Sequence, residues 1–182
     1  MIKIIDTFAQ INDLFEDGKF ILDKWKTYMN SIYGNAANLV INDMKECFGS
    51  GDYVYEKDIL PIITAVYKHA DLEILHSSFC KVTEGLNKKV NDCFGNEVDI
   101  DIVLYVGLCN GAGWVTNIDG RDVILLGVEK ILELNWVDEA IYSLKEKYNC
   151  FFIKGNKEDY WLDYQANGEM RWKGTIYDFR RL

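Results

Sequence analysis

Hydrophobic residues in the first half of the chain recur every three or four positions, the spacing that places side chains on one face of a helix. This pattern predicts helical structure over residues 4–33, with an interruption at Asp17-Gly18. It also predicts a short helix over residues 38–48 and a long one over residues 60–94. The first half is therefore expected to be mainly helical.

The spacing of the hydrophobic residues changes to every second position near residue 98, where apolar and polar side chains alternate. Val98 and Ile100 share one face of a strand predicted over residues 98–106. Asp99 and Asp101 share the opposite face, near the edge of the expected sheet. Because that face is expected to meet solvent, the two carboxylates are interpreted as solvated groups and not as an acid–base couple.

Two further strands are predicted around Asp119-Gly120, a pair typical of tight hairpin turns. They span residues 114–118 and 122–128. Residues 123–126 are apolar on both faces, which places the second strand inside the sheet. A helix predicted over residues 137–148 is expected to pack on this sheet.

Apolar and polar residues alternate again in the last part of the chain, on both sides of Asn167-Gly168, a pair typical of a hairpin turn. A two-residue loop would mix apolar and charged side chains on each face, whereas a three-residue loop, with its glycine left-handed, separates them. The second register is preferred because it forms one apolar face from Leu162, Tyr164, Met170 and Trp172. The aromatic residues Trp161, Tyr164 and Trp172 are candidates for contact with a partner or a second copy, and the alternative is that they form sheet core.

A chain of 182 residues with a single proline is expected to form one domain. Its parts are a mainly helical region (1–96), a sheet with its helix (97–148) and a C-terminal hairpin (149–182). The predicted fold class is α+β. It comprises a helical N-terminal half, a small and mostly antiparallel sheet with a packed helix, and a C-terminal β-hairpin.

Charge and cysteine usage narrow the class of protein. The net charge of −9 argues against nucleic-acid binding, which requires clustered Lys and Arg. No apolar run approaches the ~18 residues of a membrane span, and the N-terminal residues lack the pattern of a signal peptide. The five cysteines are odd in number and form no CxxC motif. They are therefore expected to be reduced thiols of a cytoplasmic protein.

The two histidines suggest one hypothesis of a metal site. On a continuous helix, His69, Glu73 and His76 would share one side, and imidazole and carboxylate are zinc ligands. Cys80 lies one turn after His76, so a thiol–imidazole pair is a second possibility. The preferred interpretation is that these residues border the apolar stripe. No cofactor is therefore expected, and zinc only if the first three residues form a site.

A glycine-rich segment over residues 107–113 lacks the GK[ST] ending of a phosphate-binding loop, and a strand is predicted after it instead of a helix. It is interpreted as a tight connection between two strands. The alternative is a sheet edge that offers backbone groups to a peptide. The candidates for that edge are Asn110, Gly111, Gly113 and Trp114.

Two motifs, NGAGW at residues 110–114 and LLGVEKILELNW at 125–136, lie within a longer segment, 79–144. This segment resembles a bacterial family of predicted zinc-dependent proteases of the zincin type. The resemblance implies a strand, a glycine-rich loop and a hairpin, followed by a helix that carries HExxH. It also implies a substrate strand held beside that zinc-binding helix.

The HExxH motif is absent. The sequence after residue 144 reads KEKYNC, and no histidine follows His76. No catalytic or metal-binding residue is therefore carried over, and protease activity is not expected. The expected function is that of a non-catalytic zincin-like protein that binds a peptide or protein at its sheet edge. The alternatives are an interaction module acting through the C-terminal hairpin, and, third, a metallohydrolase using His69, Glu73 and His76.

Overall fold

The computed structural model describes residues 1–48, 54–94 and 98–135, and the backbone of residues 162–164 and 170–172. The helical elements are a 3-10 helix (Phe8–Leu14), α1 (Leu22–Ile32), α2 (Ala36–Cys47), a π-helical turn (Tyr55–Ile59), α3 (Leu60–Ala65), α4 (Leu72–Thr83), α5 (Leu86–Phe94) and α6 (Val128–Glu133). The strands are β1 (Lys3–Asp6), β2 (Phe15–Glu16), β3 (Lys19–Phe20), β4 (Asp101–Tyr105), β5 (Trp114–Ile118), β6 (Arg121–Gly127), β7 (Leu162–Tyr164) and β8 (Met170–Trp172). The α+β class is confirmed.

The main sheet has four strands in the order β1-β4-β6-β5. Strands β1 and β6 flank β4 and run parallel to it, whereas β5 is antiparallel to β6. All five residues of β4 are buried, since strands lie on both of its edges and the core packs around it. The prediction of a mostly antiparallel sheet is therefore wrong. The sheet is mixed, and two of its three pairings are parallel.

The helix predicted over residues 4–33 is wrong in its first half. The chain begins with β1, continues through the 3-10 helix and turns back at a β2–β3 hairpin before α1 begins. Asp17 and Gly18 form that turn with positive φ angles of 49° and 76°, which suit a tight hairpin. Apolar spacing does not separate a short strand from a helix, and pairing with β4 decides the outcome for β1.

The long helix predicted over residues 60–94 is divided into α3, α4 and α5. Lys68, between α3 and α4, has φ of 55°, and Gly85, between α4 and α5, has φ of 65°. Both angles lie in the left-handed region, which ends a right-handed helix. The chain therefore turns twice where the sequence predicts continuous helix.

Asp101 contradicts the prediction of a solvated strand face, because it lies in the central strand β4 and is only 1% exposed. Its carboxylate accepts hydrogen bonds from Arg121 Nε at 2.6 Å and from the Tyr33 hydroxyl at 2.5 Å. These partners balance the buried charge. Asp99 is exposed, as predicted, and accepts a bond from Arg121 Nη1 at 2.9 Å.

The hairpin predicted at Asp119-Gly120 is confirmed. It joins β5 to β6, with Ile118 opposite Arg121 as the closing pair. Both turn residues have positive φ, 52° and 82°. The predicted interior position of the second strand is also confirmed, since β6 lies between β4 and β5.

The C-terminal strands β7 and β8 pair antiparallel, with Leu162 opposite Trp172 and Tyr164 opposite Met170. The helix predicted over residues 137–148 lies outside the described residues, as does Trp161. Among the residues that the structure describes, no helix is long and apolar enough to cross a membrane.

Candidate functional site

The glycine-rich loop between β4 and β5 is held in place by the buried carboxylate of Glu129. This residue lies in the first turn of α6, which begins directly after β6 and therefore beside the end of β4. Its carboxylate accepts the backbone N–H groups of Gly107 at 2.8 Å and Cys109 at 3.1 Å. A Cβ on Gly107 would lie 2.7 Å from Glu129 Oε1, so any other residue here would displace the carboxylate from this position.

Burial raises the pKa of Glu129 from 4.5 to about 7, even though the N–H donors of Gly107 and Cys109 favour the charged form. The same burial is the main cause that raises the pKa of the neighbouring Cys109 thiol to about 12. Cys109 is therefore a protonated core thiol. Glu129 supports the loop and changes its charge near neutral pH.

Val106, the residue before this loop, is held by two side chains of α1. Trp25 Nε1 donates to the Val106 carbonyl at 2.8 Å, and the Val106 N–H donates to the Tyr28 hydroxyl at 3.2 Å. The Thr7 hydroxyl lies 2.5 Å from the Tyr28 hydroxyl and donates to the Leu104 carbonyl at 2.7 Å. One consistent chain of donors therefore runs from Val106 through Tyr28 and Thr7 to Leu104.

No sequence motif indicates this network, because its hydrogen bonds to Leu104 and Val106 join residues that are 78 to 97 positions apart along the chain. The only signal is the presence of Trp25 and Tyr28 on the apolar stripe of a predicted helix. Indole N–H and phenol groups require hydrogen-bond partners when they are buried.

The strand that follows the loop, β5, is one of the two edge strands of the described sheet, and β1 is the other. Its pairing with β6 starts from the closing pair Ile118–Arg121, so hydrogen-bonded and non-hydrogen-bonded pairs alternate from there. Val115 and Asn117 fall in the non-hydrogen-bonded pairs, and their backbone N–H and C=O groups therefore point away from β6. Within the described part of the chain, no strand pairs with this outer edge.

A groove of about 360 Å³ runs between α2 and β5. Trp114 and Thr116 contribute the strand side of the groove. The helix side is polar and acidic, and is formed by Asn35, Asn38, Leu39, Asn42, Asp43 and Glu46. The face of β5 that carries Trp114 and Thr116 is thus turned toward a polar cleft.

The four candidate residues of the loop have different positions. Trp114 lines the groove and donates through Nε1 to the Tyr105 hydroxyl at 2.9 Å. The Asn110 amide donates to the Val40 carbonyl at 2.9 Å and to Asp43 at 2.7 Å, and so ties the loop to α2. Gly111 and Gly113 lie in the loop itself, and neither lines the groove. The structure therefore gives Asn110 a bracing role and leaves Trp114 at the edge.

His69, Glu73 and His76 do not form the predicted arrangement. His69 lies in the turn before α4, so the three residues do not share one helix. Its Nδ1 accepts the N–H of Asp71 at 3.2 Å, whereas His76 Nε2 lies 2.6 Å from Asp6. The helical spacing on which that metal hypothesis depended is interrupted.

His76 instead lies between Asp6 and Cys80. The Cys80 sulfur is 3.5 Å from His76 Nε2, the same nitrogen that contacts Asp6. A nucleophile–base–acid triad needs the two neighbours on different ring nitrogens, so this is not one. Burial, followed by the Asp6 charge, also raises the pKa of the Cys80 thiol, which disfavours the thiolate nucleophile.

The two motifs of the zincin-type resemblance fall in the part of the fold just described. NGAGW forms the end of the loop and the first residue of β5, and LLGVEKILEL spans the end of β6 and α6. No protein-family model, curated protein or solved structure matches this chain.

Proposed function

We propose that this protein is a non-catalytic, zincin-like module that binds an extended, basic peptide along the outer edge of β5. The observation that carries the proposal is the position of β5, whose outward backbone groups lie beside an acidic groove. An added strand would pair with the N–H and C=O groups of Val115 and Asn117. Its alternate side chains would enter the groove between α2 and β5.

The edge has the features of a docking strand. Val115 is 70% exposed, although valine on an open edge invites association with another chain. Neither proline nor lysine, which commonly protect an edge, occurs within β5. The loop before β5 is held by hydrogen bonds of Glu129 and Asn110, and a loop held in this way lowers the ordering entropy that binding would cost.

The charge of the groove selects the partner. Asp43 and Glu46 are among the lining residues, which include no Lys or Arg. The whole chain carries a net charge of −9, so the long-range field also attracts cations. A peptide with Lys or Arg at alternate positions would therefore be steered toward the groove and bound there.

Catalysis is not part of the proposal. Zincin chemistry needs two imidazoles one helical turn apart, and this chain has histidine only at positions 69 and 76. The pKa of Glu129, about 7, would suit a general base. Its carboxylate, however, accepts hydrogen bonds from backbone N–H groups in the core, and the residue does not line the groove. In this proposal the zincin-like loop and strand β5 serve to bind a peptide and not to cleave it.

Replacing Val115 with proline tests the edge directly. Proline removes the outward N–H without breaking the ladder to β6, because that N–H makes no bond to β6. We expect binding of a labelled peptide of alternating Lys and Thr, measured by fluorescence anisotropy, to weaken at least tenfold, the effect of ~1.4 kcal/mol. The matched variant Val115→Ala keeps the N–H and should bind nearly as the wild type does. Equal binding by both variants would contradict the proposal.

A charge reversal tests the groove. Glu46→Lys should weaken binding of the same peptide by roughly fivefold, the effect of ~1 kcal/mol at a solvated charge pair. Asp13→Lys makes the same change in net charge at an exposed residue that does not line the groove, and should have a smaller effect. If the two reversals weaken binding equally, net charge alone attracts the peptide and the groove has no role. A peptide of alternating Glu and Thr should not bind the wild type.

A second candidate function is interaction through the C-terminal hairpin. The backbone register, in which Leu162 is opposite Trp172 and Tyr164 is opposite Met170, supports this candidate, because these four apolar residues then occupy positions of the same face of β7 and β8. Such a face would bind a partner or a second copy of the chain. If partner binding is lost in Trp172→Ala and kept in Val115→Pro, the hairpin is the binding surface and the edge proposal is wrong.

A further inference from the structure

Three side chains of metal-binding type converge where β1 ends beside α4. Asp6 is the last residue of β1, and His76 and Cys80 lie one turn apart on α4. Asp6 Oδ2, His76 Nε2 and Cys80 Sγ all lie within 4.8 Å of one another. We propose that these three atoms bind one Zn²⁺ ion, independently of the peptide-binding edge.

The distances are close to those that tetrahedral zinc requires. With Zn–S of about 2.3 Å and Zn–N of about 2.0–2.1 Å, the two ligand atoms should be roughly 3.5 Å apart. Cys80 Sγ and His76 Nε2 are already 3.5 Å apart. Asp6 Oδ2 and His76 Nε2 are 2.6 Å apart and would separate to about 3.3 Å, a movement of roughly 0.7 Å. Rotation of the partly exposed Asp6 side chain can supply this movement.

Neighbouring groups orient two of the ligands. The His76 ring stacks on the Phe8 ring, with centroids 3.8 Å apart and planes only 3° from parallel. The Phe8 N–H donates to Asp6 Oδ1 at 3.0 Å, which turns the other carboxylate oxygen toward His76. Such supporting contacts fix ligand orientation and raise metal affinity. Phe8 therefore positions both Asp6 and His76.

The mixture of ligands favours zinc. Imidazole nitrogen and thiolate sulfur suit Zn²⁺, whereas Ca²⁺ and Mg²⁺ prefer oxygen ligands alone. On binding, the Cys80 thiol releases its proton to solvent and coordinates as thiolate. The two negative ligands, Asp6 and Cys80, then balance the charge of the ion.

The fourth coordination position would face solvent. A groove of about 560 Å³ adjoins the cluster and is lined by Asp6 and Cys80 together with Ile4, Ser77, Phe79, Lys81, Thr83 and Glu84. Three protein ligands and one open position characterise zinc sites that hold a water molecule or a small ligand. The proposed site is thus open to small molecules.

Zinc titration of the full-length protein tests the proposal. After treatment with a chelator, the wild type should take up one equivalent of Zn²⁺ in competition with a chromophoric chelator. His76→Gln and Cys80→Ser should each weaken zinc binding by at least tenfold, while His69→Gln, which changes the other histidine, should bind as the wild type does. Circular dichroism establishes that each variant is folded.

Cobalt provides an independent readout. Co²⁺ bound in place of zinc should give the near-ultraviolet charge-transfer absorption of a cobalt–thiolate bond, and Cys80→Ser should abolish it. No stoichiometric zinc uptake by the wild type, or uptake that His76→Gln leaves unchanged, would overturn the proposal. In that case Asp6 and His76 form only a hydrogen-bonded pair. Peptide binding at β5 should be the same with and without zinc, so a negative result for zinc binding does not affect the proposal of peptide binding, and the reverse also holds.

Discussion

Glu129→Leu is expected to lower the free energy of unfolding by roughly 3–5 kcal/mol near pH 5 and by much less near pH 8. Leucine has a similar volume but accepts no hydrogen bond, so the N–H groups of Gly107 and Cys109 lose their partner. Each unsatisfied buried donor costs about 1–3 kcal/mol. Urea unfolding of wild type and variant, measured from acid to mildly alkaline pH, gives the free energy of unfolding as a function of pH.

The pH dependence follows from the raised pKa of Glu129. Between pH 4.5 and about 7 the native state holds a proton that the unfolded state has released, so wild-type stability falls as pH rises through this interval. The difference between 4.5 and about 7 corresponds to roughly 3 kcal/mol. The variant lacks this titration, and its deficit relative to the wild type should therefore shrink with rising pH.

Glu129→Gln serves as the control, since it keeps one acceptor oxygen and removes the titration. We expect a smaller deficit near pH 5, about 2 kcal/mol, because only one of the two N–H groups loses its acceptor. Its deficit should also shrink toward alkaline pH. Parallel pH profiles for wild type and Glu129→Gln would contradict the role assigned to this carboxyl group.

The second large effect is expected for Trp25→Ala, which should lower the free energy of unfolding by about 5 kcal/mol. Trp25 is fully buried, and truncation both leaves a cavity and removes the donor to the Val106 carbonyl. Truncation of a buried Trp alone typically costs 3–5 kcal/mol. Denaturant unfolding followed by far-ultraviolet circular dichroism measures the change.

Trp25→Phe is an intermediate variant, because it keeps one aromatic ring but loses the N–H and the volume of the second ring. We expect a loss of about 2–3 kcal/mol, smaller than that of Trp25→Ala. A double-mutant cycle with Tyr28→Phe tests whether the two side chains cooperate in holding Val106. If the two losses add with no coupling, Trp25 and Tyr28 support the core separately and do not form one network around Val106.

The sequence predicts those elements whose signal is local. Asp119-Gly120 identifies the β5–β6 hairpin, since both residues adopt the positive φ angles that a tight turn requires. The apolar residues 123–126 predict the interior position of β6, because a strand that is apolar on both faces is typical of the middle of a covered sheet. These two features locate the edge strand β5.

The remaining features depend on contacts between distant segments. β1 is a strand because it pairs with β4, nearly a hundred residues later, and its own four residues carry no strand-specific pattern. Asp101 is buried because Arg121 and Tyr33 compensate its charge, and alternation alone cannot reveal such partners. The same holds for Asp6, which joins His76 and Cys80 only through the fold.

Hydrogen exchange of the β5 amides tests the central claim most directly, because it reports which backbone groups the peptide covers. On adding the peptide of alternating Lys and Thr, exchange of the Val115 and Asn117 N–H groups should slow at least tenfold, a protection of ~1.4 kcal/mol. Thr116, whose N–H already pairs with β6, should change little. If the peptide binds without slowing exchange at Val115 and Asn117, or if these amides are already protected without it, the outer edge of β5 is not the binding site.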